Sequence, residues 1–104
     1  MASDEFSGKV ALVTGASSGI GRATAIRLAR DGALLCLVAR DGARLEALGE
    51  ELGGGKVALV HRADLTSPDQ RARVVPACVE RFGRLDILVN AAGVIGTGTV
   101  AEAS

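Results

Sequence analysis

At 104 residues the chain is long enough for one hydrophobic core and too short for a cofactor domain plus a separate substrate domain. Twelve basic and twelve acidic residues leave a formal net charge of zero, so no long-range field draws nucleic acid or an anionic membrane. A single histidine, and two cysteines (Cys36 and Cys78) in apolar surroundings without Cys-x-x-Cys spacing, offer neither a metal cluster nor a disulfide framework and point to buried free thiols.

Taken in chain order, Met1 to Ser7 form a polar, acidic tail without the basic start and apolar run of a secretory signal. No apolar run reaches the roughly 18 residues of a membrane span, and the expectation is a soluble, cytoplasmic protein. Four short apolar runs follow: Lys9 to Thr14, Leu34 to Val38, Lys56 to Arg62 and Asp86 to Asn90. Each is nearly continuous in apolar residues, as in strands covered on both faces. Between them lie three segments of helical period. The first begins near Gly19, aligns Ile20, Thr24 and Leu28, and stops at Gly32. The second follows Asp41 as N-cap, aligns Leu45, Leu48 and Leu52, and stops at Gly53-Gly54-Gly55. The third opens on Ser67 as cap with Pro68 in its first position and Gln70 in the place of a capping box, and buries Val74, Val75, Cys78 and Phe82. Within it, Pro76 removes a hydrogen bond at a cost of about 3 kcal/mol, which predicts a kink or a break. Strands alternating with helices define an α/β chain with an open parallel sheet wrapped by helices.

The first strand runs directly into Thr14-Gly15-Ala16-Ser17-Ser18-Gly19-Ile20-Gly21 and then into the first helix. In that setting Gly15 allows a sharp turn out of the strand, Gly19 leaves room for backbone to approach a pyrophosphate, and Gly21 permits close helix packing; N–H groups at the helix start face the anion. The glycines alone say little, because with 14 of them in 104 residues three at fixed offsets recur by chance about one time in four. Their position between an apolar strand and a helix supplies the specificity. Ser17 and Ser18 either offer hydroxyls to phosphate or cap the helix.

The Thr14 to Gly21 segment resembles the cofactor motif of the classical short-chain dehydrogenase/reductase family. Two later segments agree with it. Asp64-Leu65-Thr66 after the third strand resembles the stretch that sets an aspartate beside the adenine ring, and Asn90-Ala91-Ala92-Gly93 resembles the family's Asn-Asn-Ala-Gly signature with Ala91 in the second place. The resemblance covers Lys9 to about Val94. It implies a Rossmann-type doubly wound parallel sheet, truncated after the fourth strand, in a partial NAD(P)-binding domain spanning residues 1–104. It also implies a dinucleotide site made by Gly15, Ser17, Ser18, Gly19, Ile20, Gly21, Arg40, Asp64, Leu65, Asn90, Ala91 and Gly93. Apart from the resemblance, Asp64 also reads as a favourable charge at a helix start, and Asn90 as a strand-end hydrogen-bonding residue.

An NAD-preferring protein places an acidic residue at the end of the second strand, about 20 residues beyond the turn, to bind the ribose hydroxyls. Here that place holds Ala39, followed by Arg40, whose planar guanidinium suits a 2′-phosphate, with Arg44 one helical turn further on. The pattern favours NADP over NAD; the bland alternative is a surface arginine paired with Asp41 in solvent.

The tyrosine, the lysine four residues after it and the serine that the resemblance implies for catalysis are not assigned to any residue. The chain has no tyrosine, and its lysines are Lys9 and Lys56, read as lying on the first and third strands. No catalytic residue and no metal ligand is named. Right-handed crossovers set the first two helices on one face and the third alone on the other, leaving that face under-covered and Ile87-Leu88-Val89 as a bare apolar edge. Marginal stability, self-association or dependence on a partner is then expected. Two functions follow: the N-terminal cofactor-binding half of an NADP-dependent oxidoreductase interconverting an alcohol and a carbonyl, or a non-catalytic truncated isoform or fragment that binds nucleotide weakly or docks on full-length subunits. A small-molecule substrate is expected only where the missing half is supplied, and no nucleic-acid or membrane partner is expected.

Overall fold

A computed structural model describes residues 5–17 and 19–91, together with the backbone of 101–102. The elements are β1 (Val10–Thr14), α1 (Gly19–Arg30), β2 (Leu34–Ala39), α2 (Gly42–Leu52), a 3-10 turn (Gly54–Lys56), β3 (Ala58–Arg62), α3 (Pro68–Phe82), β4 (Ile87–Asn90) and β5 (Ala101–Glu102). The sheet order is β3-β2-β1-β4-β5. β1 to β4 are parallel, with Leu12 beside Cys36 on one side and Leu88 on the other. β5 is antiparallel to β4, pairing Ala101 with Val89 and Glu102 with Leu88. The four parallel strands stand as expected, but the β4 edge is not left bare as the sequence suggested, because β5 pairs with Leu88 and Val89. Two backbone residues returning antiparallel satisfy part of the edge that apolar Ile87–Val89 exposes.

Every residue of central β1 is buried, whereas β3 and β4 are half-exposed along most of their length. Continuous apolar runs thus mark full coverage only in the middle of the sheet. Ala25 and Leu28 of α1 and Leu45 and Leu48 of α2 pack with Ala11, Val13, Leu35 and Leu37 on one face. Val74 and Cys78 of α3 pack with Val10, Leu12, Cys36 and Val38 on the other. One helix against two is the asymmetry that right-handed crossovers require. The buried thiols meet there: burial, and then the neighbouring Cys78, push Cys36 up to about 12, and burial raises Cys78 too. Both are free and inert by environment.

In α1 the inward face is Gly21, Ala25 and Leu28; of the predicted row Leu28 is buried, but Thr24 is half-buried and Ile20 is 77% exposed. Gly21 must lie against the Gly15 backbone, and that contact rotates the helix. In α2, Asp41 accepts from the Arg44 N–H at 3.1 Å, and Gly53 ends the helix at φ +130°. In α3, Ser67 accepts from the Gln70 N–H, and Gly83 in the left-handed region closes the far end. Gln70 does not complete a capping box. Ser67 N–H is already held by the Asp64 carbonyl at 3.0 Å, so Gln70 Oε1 takes the Asp64 N–H at 2.8 Å instead. α3 runs unbroken through Pro76. Pro76 and Ala72 lie on its exposed side, where the carbonyl that proline leaves without a helical partner is open to water. Val75, predicted to be buried, is 44% exposed, because it lies about 100° around the helix from Val74.

Of the N-terminal tail, Phe6 packs against the core, its N–H donating to the Asp31 carbonyl at 2.8 Å, while Gly32 passes close to Ser7. Among the described residues no helix is long and apolar enough to cross a membrane, and no three His, Cys, Asp or Glu residues gather as a metal site.

Candidate functional site

The C-terminal ends of β1 to β4 open on one rim, and the loops leaving them carry most of the residues singled out in the sequence. In an open parallel sheet this rim, at the point where the strand order reverses, is where ligands bind. Here the reversal lies between β1 and β4.

The turn after β1 is shaped by glycine at three places. Gly15 (φ +65°) and Gly19 (φ +58°) take left-handed backbone that side chains resist. A Cβ on Gly21 would lie 2.1 Å from the Gly15 carbonyl oxygen, so the helix sits against the turn only because that atom is missing. A Cβ on Gly19 would meet nothing within 4 Å, so the surface there is open. Ala16 N–H donates to the Val38 carbonyl at 3.1 Å, fastening the turn to the end of β2. No acidic side chain lies in the first turn of α1, which leaves its positive end uncountered. Exposed Ile20 stands at this end. Ser17 lines a cleft of about 280 Å³ that includes Arg22, Arg44, Leu48 and Glu51. Ser18, Ala92 and Gly93 lie outside the described residues.

A residue not singled out in the sequence joins β1 to β4. The buried Thr14 hydroxyl donates to Asn90 Oδ1 at 2.8 Å and accepts from the Ala91 N–H at 3.2 Å. With a single proton to give, it leaves the Val89 carbonyl, at 3.4 Å, the weaker partner. Thr14 opens the glycine motif, but only the β1–β4 register sets it opposite Asn90.

Beyond β2 and β3 lies a second cleft of about 350 Å³, lined by Arg40, Arg62, Ala63, Asp64 and Gln70. Asp64 Oδ1 accepts from Thr66 Oγ1 at 2.6 Å and from Thr66 N–H at 2.9 Å. The Thr66 hydroxyl, then its N–H, and then the charge of Arg40 hold the Asp64 carboxyl below its ordinary range. Leu65 turns away, packing with the core beneath α3, and its carbonyl accepts from Arg71. Asp41, weighed as a partner for Arg40, instead pairs with Arg44 at 3.6 Å. Lys9 and Lys56 are not strand residues: Lys9 precedes β1 and Lys56 ends the 3-10 turn before β3, both at the opposite end of the sheet from the rim.

Four parallel strands, flanking helices and a glycine turn at the reversal define a Rossmann-type dinucleotide-binding class of fold. Residues 9–104 match the short chain dehydrogenase family, and the chain belongs to it. The chain is 50% identical over 94 residues to 11-beta-hydroxysteroid dehydrogenase 1A of Arabidopsis thaliana, covering 88% of this chain and 27% of that protein. Among solved structures, it resembles a metagenomic short-chain oxidoreductase in complex with NADP (44% identity, TM-score 0.78, 86% of this chain and 41% of that one). It also resembles a 3-ketoacyl-(acyl-carrier-protein) reductase from Brucella melitensis complexed with NADH (42% identity, TM-score 0.76, 81% of this chain and 34% of that one). The chain thus spans well under half the length of these relatives.

Proposed function

We propose that this chain is the cofactor-binding part of an NADP-dependent oxidoreductase that interconverts an alcohol and a carbonyl. One observation carries the choice of NADP: β2 ends on Ala39 rather than a carboxylate, and the next residue, Arg40, lines the cleft beyond it. A carboxylate there would repel a 2′-phosphate, while a guanidinium pairs with it.

The residues fit the group. Gly15, Ser17, Ser18, Gly19, Ile20 and Gly21 hold the pyrophosphate, where the open surface of Gly19 and the uncountered start of α1 favour an anion. Arg40 takes the 2′-phosphate, Asp64 and the backbone of Leu65 border the adenine, and Asn90 and Ala91, with Gly93 by the family resemblance, complete the site. When bound, the nicotinamide supplies or accepts a hydride. This chain's own residues bind the cofactor and fix its orientation. The tyrosine that the family resemblance implies as proton donor is not among the 104 residues, so we assign no proton transfer to them. A second reading, docking on another subunit with weak nucleotide binding, is favoured by Val75 and Val79 of α3, which are 44% and 41% exposed.

Fluorescence titration with NADPH and NADH tests the cofactor reading. Wild type should prefer NADPH, and Ala39→Asp and Arg40→Gln should each weaken NADPH much more than NADH. Equal loss of both cofactors in the two variants, with circular dichroism unchanged, would sink it.

A further inference from the structure

We propose that Arg62 is a specificity-determining residue of the cleft beyond β2 and β3, the cation that gives this cleft a net positive charge and so selects a 2′-phosphorylated nucleotide. The inference rests on the reading of Arg40 as the 2′-phosphate contact. Nothing in the sequence marks Arg62, which simply ends the third apolar run.

Strand register places it. Arg62 pairs with Ala39, the residue at the end of β2 where a carboxylate would stand in an NAD-preferring protein. Ala63 N–H donates to the Ala39 carbonyl at 3.0 Å, which holds the two strand ends together. Residues at spacings of two share a sheet face, so Arg62 leaves β3 on the side of Ala58 and Val60, which pack toward α1 and α2. There its stem passes over the start of α2. A Cβ on Gly42 would lie 3.2 Å from Arg62 Cδ, so the missing side chain at Gly42 seats the arginine. Arg62 Nε then donates to the Arg40 carbonyl at 3.2 Å. That bond ties the guanidinium to the backbone of the very residue that reads the phosphate, while the terminal nitrogens of Arg62, without a partner among the described residues, keep their N–H groups for a ligand.

Charge accounting gives Arg62 its importance. The other nearby arginines are countered: Arg44 by Asp41 at 3.6 Å and Arg22 by Glu51 at 2.9 Å. Arg40 shares its cleft with Asp64, and its charge acts on that carboxylate. With Arg40 and Asp64 alone the cleft would be neutral overall and would hold a doubly charged phosphate poorly. Arg62 tips the balance, and two guanidinium groups on one phosphate match the geometry such groups favour.

The experiment uses the full chain and four probes: NADP, NAD, 2′,5′-ADP and 5′-AMP, titrated by calorimetry into wild type, Arg62→Gln and Arg62→Lys. Arg62→Gln should weaken NADP and 2′,5′-ADP by about ten-fold and leave NAD and 5′-AMP within about two-fold. The salt dependence of 2′,5′-ADP binding should also fall, because one screened charge is gone. Arg62→Lys, which keeps the charge but lacks the Nε bond to Arg40, should lie between the two. Equal weakening of all four probes would make Arg62 a structural prop and overturn the proposal, and so would no change in any of them. If wild type itself does not distinguish NADP from NAD, or binds neither, the NADP reading fails and takes this inference with it. A wild type that prefers NADP while Arg62→Gln keeps that preference overturns only the role of Arg62.

Discussion

Thr14 and Asn90, 76 positions apart, are joined by a 2.8 Å hydrogen bond from the threonine hydroxyl to the asparagine side-chain oxygen. The bond bridges β1 and β4 where the strand order reverses, and the same hydroxyl receives the Ala91 N–H. Thr14→Val keeps the shape of the side chain and removes both interactions. It should cost about 1–3 kcal/mol, since the Ala91 N–H and the Asn90 oxygen lose a partly buried partner. Urea unfolding measures this. Thr14→Ser, which retains the hydroxyl, should recover most of the loss, and an unchanged midpoint for Thr14→Val would show that the bridge contributes nothing.

Two glycines of the turn make opposite demands, and alanine separates them. At Gly21 an added Cβ would fall 2.1 Å from the Gly15 carbonyl oxygen, so Gly21→Ala must push α1 off the turn. The cost should reach about 1–3 kcal/mol or more, with loss of nucleotide binding. At Gly19 nothing lies within 4 Å, and only the left-handed φ of +58° is strained. Gly19→Ala should cost about 1–2 kcal/mol and leave the fold intact while weakening NADPH binding. Denaturant midpoints and NADPH titrations on both variants check the order; Gly21→Ala as the milder change would contradict the packing.

Asp86 anchors the start of β1 beside β4. Its Oδ2 accepts from the Val10 N–H at 2.8 Å, and Arg84 grips both oxygens, with Nη2 to Oδ1 at 2.7 Å. Arg84 first, then the Val10 N–H, hold the Asp86 carboxyl below its ordinary range. A carboxyl depressed on folding stabilises the protein fully above its unfolded value. That contribution is lost as pH falls from about 4 toward the lower folded value. Asp64, lowered by Thr66, acts in the same sense. Asp86→Asn should lower the urea midpoint at pH 6 and flatten its fall between about pH 4 and pH 2.5. A variant that keeps the wild-type pH slope would remove Asp86 as its source.

The α/β alternation, the helix caps and the turn glycines were legible in the sequence because each is local. Asp41, Ser67, Gly53 and Gly15 act on neighbours within a few residues, and local sterics and hydrogen bonding decide their roles. Helix faces were less legible. The row predicted from Ile20 holds at Leu28 but not at Ile20, because one glycine–backbone contact rotates α1, and Val75 is half-exposed because α3 packs on only part of its circumference. Pro76 also misled, since a proline on a wet face leaves a carbonyl that water can satisfy.

By itself, then, the sequence determined the order of strands and helices, the glycine turn and the arginine where an acid would stand. Those features depend on side-chain size, backbone freedom and charge at adjoining positions. Only the tertiary structure decided that Thr14 meets Asn90, that Asp41 holds Arg44 and leaves Arg40 to the cleft, and that Arg62 comes to rest on the Arg40 carbonyl. Such pairings depend on strand register and on the crossover of α3, which bring together residues that no spacing along the chain relates.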